Sequence, residues 1–209
     1  MGEFSRGGQT RVPTAAADHD FRTAEVLTPF GILVPKTDDL FIRFTPSACT
    51  ADFVVDTLSL WWTSAQPRFP GVKMLVINLD NGPEHHSRRT QFIKRMVEFV
   101  TRHRIAVRLA YYPPYHSKYN RIERCWGVLE NHWNGSLLDS TEATLGFAST
   151  MTWKGKRPQV SLSSRIYETG KRLPPKDMAK LELKLQRHPL LPKWSLDIKP
   201  APRHAVMNN

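Results

Sequence analysis

The first regular pattern of apolar and polar positions predicts a β-hairpin followed by a helix. Residues 27–34 and 40–45 are apolar and rich in β-branched side chains, and the turn-type loop 35–39 separates them. Residues 50–66 then repeat apolar side chains at helical spacing, and Thr50 is a suitable N-cap for this helix.

Two further pairs of strand and helix follow along the chain. The short, nearly continuous apolar run 73–80 predicts a buried strand that ends on Asp80, just before an Asn-Gly-Pro turn. Residues 87–104 predict an amphipathic helix with a basic face, 105–112 another strand, and about 120–133 a helix. The order β-β-α-β-α-β-α predicts an α/β domain in which helices flank a mixed sheet.

Outside this region the periodicity is weak. Residues 1–25 are predicted to be an irregular lead-in and residues 26–136 to form the α/β domain. Residues 137–209 are predicted to be a basic C-terminal extension with short helices, one beginning at Pro174-Pro175, and a Pro-rich tail.

The charge of the chain favours a polyanionic partner. The 209 residues include 30 Lys and Arg and 19 Asp and Glu, which gives a net charge of +11. Contacts between such cations and phosphates release counterions, so a nucleic-acid partner is favoured over the alternative of a merely basic soluble protein.

No apolar run approaches the roughly 18 residues of a membrane span. Two cysteines are too few for a disulfide scaffold, which favours a reduced, cytoplasmic chain.

Two carboxylates stand where metal chemistry would need them. Asp80 ends a predicted strand, at the edge of an α/β sheet where ligands bind, and Mg²⁺ prefers such oxygen ligands. Glu123 lies in the first turn of a predicted helix. Each also has a structural interpretation: an Asp-Asn-Gly turn for Asp80, and stabilisation of the helix dipole for Glu123. The adjacent His85 and His86 point in different directions, and a solvated loop is favoured over a role near DNA.

The surroundings of both carboxylates resemble DDE transposases. In residues 112–126, a Pro-Pro pair closes a strand and Asn120 stands three residues before Glu123, an arrangement that resembles the region of the third carboxylate. The Asp80 turn resembles the region of the second carboxylate. Further similarity to the insertion-sequence transposases of the Rhodopirellula-type DDE family is found in residues 2–8, 17–20, 28–32 and 161–173.

The resemblance implies an RNase H-like catalytic domain that acts on DNA with Mg²⁺ or Mn²⁺. Asp80 and Glu123 would be catalytic metal ligands, with Asn81, His116 and Asn120 in supporting positions. Phosphodiester cleavage and strand transfer of this kind use two ions about 3.5–4 Å apart, which three carboxylates hold.

The first of the three carboxylates has no match in this sequence. The resemblance requires it on a strand before the hairpin, and no apolar strand bearing an Asp precedes residue 26. Asp18, Asp20, Asp52 and Asp56 do not stand in the required context. We therefore expect a C-terminal fragment that lacks its first strand and first catalytic Asp.

Several cations are expected to contact DNA. The stretch 152–176 contains seven Lys and Arg but only one acid, Glu168, and the helix at 87–104 has a basic face that is either solvated or follows a DNA backbone. The predicted DNA-binding residues are Arg88, Arg89, Lys118, Arg121, Arg124, Lys154, Lys156 and Arg157.

Three hypotheses follow from the sequence. The leading one is a transposase-derived protein that is inactive as this truncated chain. The others are a non-enzymatic DNA-binding or regulatory product, and a decayed transposase remnant. The expected partners are transposon ends and target DNA, a second copy of the chain or full-length transposase, with no membrane; bound to DNA, the chain would be associated with the nucleoid.

Overall fold

Strands β1 (Thr28–Val34) and β2 (Asp39–Thr45) form the antiparallel hairpin that the sequence predicts. The turn between them needs a left-handed residue, and Asp38 provides it with φ of 55°. The structure is a computed structural model that describes residues 26–80, 82–113, 119–136 and 138–202. It divides into two units, which we call the Glu123 unit (Met1–Cys49 with Arg121–Tyr167) and the Asp80 unit (Thr50–Asn120 with Glu168–Asn209).

The Glu123 unit is built on a three-stranded mixed sheet of order β1-β2-β5, in which β5 (Gln159–Leu162) runs parallel to β2. Helices α3 (Arg121–Trp133) and α4 (Thr141–Thr150) belong to the same unit. The core is apolar and consists of Leu40, Ile42, Phe44, Cys125, Leu129, Ala148, Met151 and Trp153.

The Asp80 unit is built on a four-stranded mixed sheet of order β3-β4-β7-β6. Its strands are β3 (Met74–Leu79), β4 (Ala106–Tyr111), β6 (Leu185–Arg187) and β7 (Ser195–Ile198). Its helices are α1 (Ala51–Ala65), a short 3-10 helix (Gln66–Arg68), α2 (Thr90–His103) and α5 (Pro175–Glu182). Strands β3 and β4 are parallel and the remaining pairs are antiparallel.

Local signals define the helices of the Asp80 unit. Thr50 caps α1 as predicted, since its side chain accepts a hydrogen bond from the Phe53 amide at 3.3 Å. Helix α2 places Phe92, Ile93 and Met96 in the core at 0–1% exposure. Lys94, Arg102 and Arg104 are exposed, which is the amphipathic arrangement that the sequence predicts, while Arg95 is mostly covered and pairs with Asp52 and Asp56.

The predicted order of the first seven elements is confirmed, and so is the mixed α/β class. The structure differs by forming two mixed sheets, because residues beyond 137 supply strands β5, β6 and β7, which the sequence does not predict. The domain boundaries at 25 and 136 stay predictions, and the lead-in 1–25 lies outside the described residues. No helix in the described part of the chain is long and apolar enough to cross a membrane.

Candidate active site

Asp80 follows β3 directly, and its side chain is 57% exposed. Two donors meet the same carboxylate oxygen: His85 Nε2 donates to Oδ1, and the Gly82 amide donates to Oδ1 at 3.3 Å. The hydrogen bond from His85 lowers the pKa of the Asp80 carboxyl, and partial burial opposes this effect. Asp80 is therefore a carboxylate at neutral pH, with one oxygen fixed by its neighbours.

The His85 side chain is held on several sides and is only 17% exposed. The Tyr111 hydroxyl donates to the His85 carbonyl oxygen at 2.9 Å, and burial raises the pKa of this phenol, which keeps it protonated. The ring meets Phe92 edge-on, with 6.2 Å between ring centroids. At Gly82, an added Cβ would lie 2.6 Å from His85 Cε1, so the ring occupies space that a side chain at this position would need.

The sequence favoured a solvated loop for His85, and the structure shows it bonded to Asp80. Its place five residues after a strand-end Asp, across a turn with a glycine, was the only local signal. That signal is weak, because the Phe92 and Tyr111 contacts that hold the ring come from α2 and β4.

The turn after Asp80 is tied to the helices of its unit by Glu84. This carboxylate accepts hydrogen bonds from Arg89 Nη2 at 3.1 Å and from the Ala51 amide at 3.2 Å. Arg89, which the sequence predicted to contact DNA, has a side chain only 12% exposed and therefore has a structural role here. Its contact with DNA stays a prediction.

Glu123 lies on the Glu123 unit, in the first turn of α3. Cys125 and Leu129 on this helix are buried at 0% and 2% exposure, while Glu123 is exposed. The apolar stripe predicted for the helix is therefore the face that joins the core, and Glu123 is left at the surface.

Asp52 and Asp56 are both engaged by basic side chains of their own unit. Asp52 has a side chain 7% exposed and accepts a hydrogen bond from Gln91 Nε2 at 2.7 Å. It also pairs with Lys171 Nζ at 3.4 Å, and both Asp52 and Asp56 pair with Arg95. These contacts account for the two side chains and agree with their lack of a match in the sequence.

The remaining predicted site residues are spread over both units. Asn120 precedes α3 and is partly buried, while Asn81, His116 and Lys118 lie outside the described residues. Six of the predicted DNA-binding cations are exposed: Arg88, Arg121, Arg124, Lys154, Lys156 and Arg157.

Two predicted DNA-binding lysines pair with the hairpin turn. Lys154 meets Asp38 at 3.1 Å and Lys156 meets Asp39 at 3.3 Å. The stretch 152–176 therefore has acidic partners that are distant in sequence, beyond the single Glu168 that it contains.

An ionised carboxylate at the carboxyl end of a parallel strand fits one ligand position of a hard divalent cation. Within the described residues, no three His, Cys, Asp or Glu side chains come together as a complete metal-binding group. Among the described residues, Asp80 is therefore the best-defined single candidate for a metal ligand.

One of three comparisons with known proteins identifies a family for this chain. The family model described as the Rhodopirellula transposase DDE domain matches residues 1–200. No curated protein and no solved structure matches the chain. The two mixed sheets flanked by helices are consistent with an RNase H-like catalytic domain. The chain belongs to the Rhodopirellula-type DDE transposase family.

Proposed function

We propose that Asp80 and Glu123 are two of the three carboxylates with which a DDE transposase cleaves DNA and transfers strands. The observation that carries this proposal is the Asp80 carboxylate, ionised and half exposed at the end of β3, with Oδ1 fixed by His85 and Gly82. Glu123 is the exposed acid in the first turn of the α3 helix. DNA is proposed as the substrate because the chain belongs to a transposase family.

The carboxylates would hold Mg²⁺ or Mn²⁺. The chemistry that such ions would supply is activation of the attacking oxygen and stabilisation of the leaving oxygen in an in-line displacement. The contribution of the chain itself is to orient the ligands. Because both donors meet Oδ1 of Asp80, the carboxylate plane is set before an ion arrives, which lowers the entropic cost of binding.

The first carboxylate of the pattern has no candidate among the aspartates of α1. Asp52 and Asp56 are held by Arg95, Gln91 and Lys171. We therefore expect weak strand cleavage by this chain alone. The net charge of +11 also supports a second candidate function, a DNA-binding product that associates with active transposase and regulates it.

The proposal is tested by titrating Mn²⁺ into the wild type, Asp80→Asn and Glu123→Gln, with binding followed by electron paramagnetic resonance. Each variant removes one negative ligand without changing side-chain size, and we expect each to weaken the tightest Mn²⁺ binding at least tenfold. Asp139→Asn and Glu130→Gln are matched controls, because both residues are exposed and stand outside the proposed site.

Two outcomes count against the proposal. One is unchanged Mn²⁺ affinity in both Asp80→Asn and Glu123→Gln. The other is robust, metal-dependent nicking of plasmid DNA that survives Asp80→Ala.

A further inference from the structure

A groove of about 920 Å³ lies within the Asp80 unit, between α2 and the segment from Lys171 to Lys184 that contains α5. The segment is fixed against α2 at its start, where the Leu173 amide donates to Thr90 Oγ1 at 3.0 Å. Farther along, Arg187 donates to the Ser87 carbonyl oxygen at 3.2 Å. The groove is therefore a formed feature of the unit, anchored on both sides of α5.

The walls of the groove are strongly basic. Six cations line it: Lys94, Arg102, Lys171, Arg172, Lys180 and Lys184. The acids along it are Glu98 and Asp177, and both already have partners. Glu98 pairs with Arg95 at 3.0 Å, and Asp177 pairs with Lys180 at 3.8 Å.

Three of these cations lack a compensating acid. In the part of the chain that the structure describes, the side chains of Arg102, Arg172 and Lys184 make no ion pair or hydrogen bond, and all three residues are exposed. Like charges that share one groove repel each other, and a polyanion in the groove removes this cost.

We propose that this groove docks the phosphate backbone of duplex DNA. Lys94 and Arg102 are eight residues apart on α2, a rise of about 12 Å, over which a duplex presents about seven phosphates. The groove is thus long enough for its cations to contact several phosphates of one duplex.

Contacts to phosphate alone predict binding that is independent of base sequence. Gln91, the amide side chain that lines the groove, is 9% exposed and donates to Asp52 at 2.7 Å, so it is not free to bond with a base. The choice of DNA over another polyanion rests on the proposed function. The charge and shape of the groove are observed independently of that function.

The test compares two triple variants of the full chain, with duplex DNA of random sequence and EDTA present throughout. The groove variant is Arg102→Gln, Arg172→Gln and Lys184→Gln. The control variant is Lys73→Gln, Lys193→Gln and Lys199→Gln, which removes the same charge from exposed positions of the same unit that do not line the groove.

The measurement is DNA affinity by fluorescence anisotropy as a function of salt. If each of the three cations meets one phosphate, the groove variant loses about 2.7 from the slope of log affinity against log salt, and roughly two orders of magnitude of affinity near 0.1 M salt. The control variant should lose no more than a few-fold. Equal losses in the two variants would overturn the proposal, because they would reflect total charge alone.

A second measurement needs no substitution and so does not depend on the folding of a variant. Lysines of the wild-type protein are acetylated with and without DNA, and the products are identified by mass spectrometry. We expect DNA to protect Lys94 and Lys184 and to leave Lys193 reactive. Reaction at Lys184 that DNA leaves unchanged rejects the groove as the docking site.

Poly-glutamate of matched length separates DNA from an acidic protein as the occupant. A groove variant that keeps its DNA affinity and loses affinity for the peptide contradicts the proposal. Because the DNA measurements are made in EDTA, they do not depend on metal binding at Asp80 or Glu123. Failure of the Mn²⁺ test and failure of the groove test are therefore distinguishable.

Discussion

His85 donates a hydrogen bond to Asp80 across a turn in which the absence of a side chain at Gly82 leaves room for the imidazole. The carboxylate and the imidazole are five residues apart, and the contact fixes one oxygen of the acid at the end of β3. This pair is the best-defined part of the candidate site, so its consequences can be measured on the chain as it stands.

Replacing His85 should release the Asp80 carboxylate. In His85→Ala the hydrogen bond that lowers the Asp80 pKa is lost, so that pKa should rise toward its ordinary value near 3.8. Carbon-detected NMR of the Asp80 carboxyl across an acid titration measures the change directly. We also expect Mn²⁺ binding to weaken a few-fold, because the ligand must then be ordered on binding.

His85→Gln is the informative companion variant, since its side-chain amide can donate to the same oxygen. It should recover part of the Mn²⁺ affinity, whereas a packing role for the ring alone predicts no recovery. An Asp80 pKa that is equal in His85→Ala and the wild type would contradict the assignment of this hydrogen bond as the cause.

Gly82→Ala should disturb the same pair from the opposite side. Its Cβ would lie 2.6 Å from His85 Cε1 and 3.3 Å from Asp80 Oδ1, so the ring must move away. We expect a loss of about 1 kcal/mol in the free energy of unfolding, typical of a mild overpacking clash. The Asp80 pKa should shift in the same direction as in His85→Ala.

Gly146→Ala is the control for this substitution, because nothing lies within 4 Å of a Cβ at that helical position. Alanine there should leave stability unchanged or raise it, since Ala favours a helix over Gly. Urea unfolding of both variants gives the comparison, and equal effects would argue against the clash at Gly82.

In the Glu123 unit, Gly31→Ala should displace α3. A Cβ on Gly31 would lie 2.8 Å from Trp126 Cη2 and 3.0 Å from Ile122 Cδ1, which are the residues that pack the Glu123 helix on β1. We expect the free energy of unfolding to fall by about 1–3 kcal/mol, which is the usual cost of overpacking a filled site. Thermal unfolding with Trp fluorescence as the probe tests it, and unchanged stability would mean that the ring has room to move.

Asp197 should contribute pH-dependent stability to the sheet of the Asp80 unit. Arg108 on β4 donates to both of its oxygens at 2.7 Å, and this lowers the pKa of the Asp197 carboxyl. A lowered folded-state pKa stabilises the native state above the unfolded value near 3.8 and stops doing so as the pH falls through the folded value.

Asp197→Asn should therefore lower Tm by about 2–4 °C at pH 7. The difference from the wild type should shrink below about pH 4, where the wild-type carboxyl becomes protonated. Differential scanning calorimetry at several pH values tests both statements. Asp177→Asn on α5 is the control, and a Tm difference that persists at pH 2 would rule out the ion pair as its source.

Local signals were sufficient for the elements around the candidate site. The Thr50 cap, the end of β3 before Asp80 and the apolar stripe of α3 all depend on side chains within a few residues of each other. For such elements, spacing and turn chemistry determine the structure, so the sequence predicts them well.

The remaining features depend on partners that are distant in sequence. Strands β5 and β7 are four residues long and are defined as strands by their pairing with β2 and β4. The same holds for Lys154, whose acidic partner Asp38 lies in the hairpin turn. No local pattern marks such contacts. For this reason the composition of the 152–176 stretch alone overestimates how many of its cations lack an acidic partner.

The pairing of β2 with β5 and of β4 with β7 also bears on how the chain folds during synthesis. Residues 41–44 and 107–110 leave the ribosome long before their partners at 159–162 and 195–198. Until then the edges of β2 and β4 that these strands will cover are unpaired, and contacts of such long range form slowly. We therefore expect both sheets to be completed late in synthesis, with these edges open to aggregation or to capture by chaperones in the meantime.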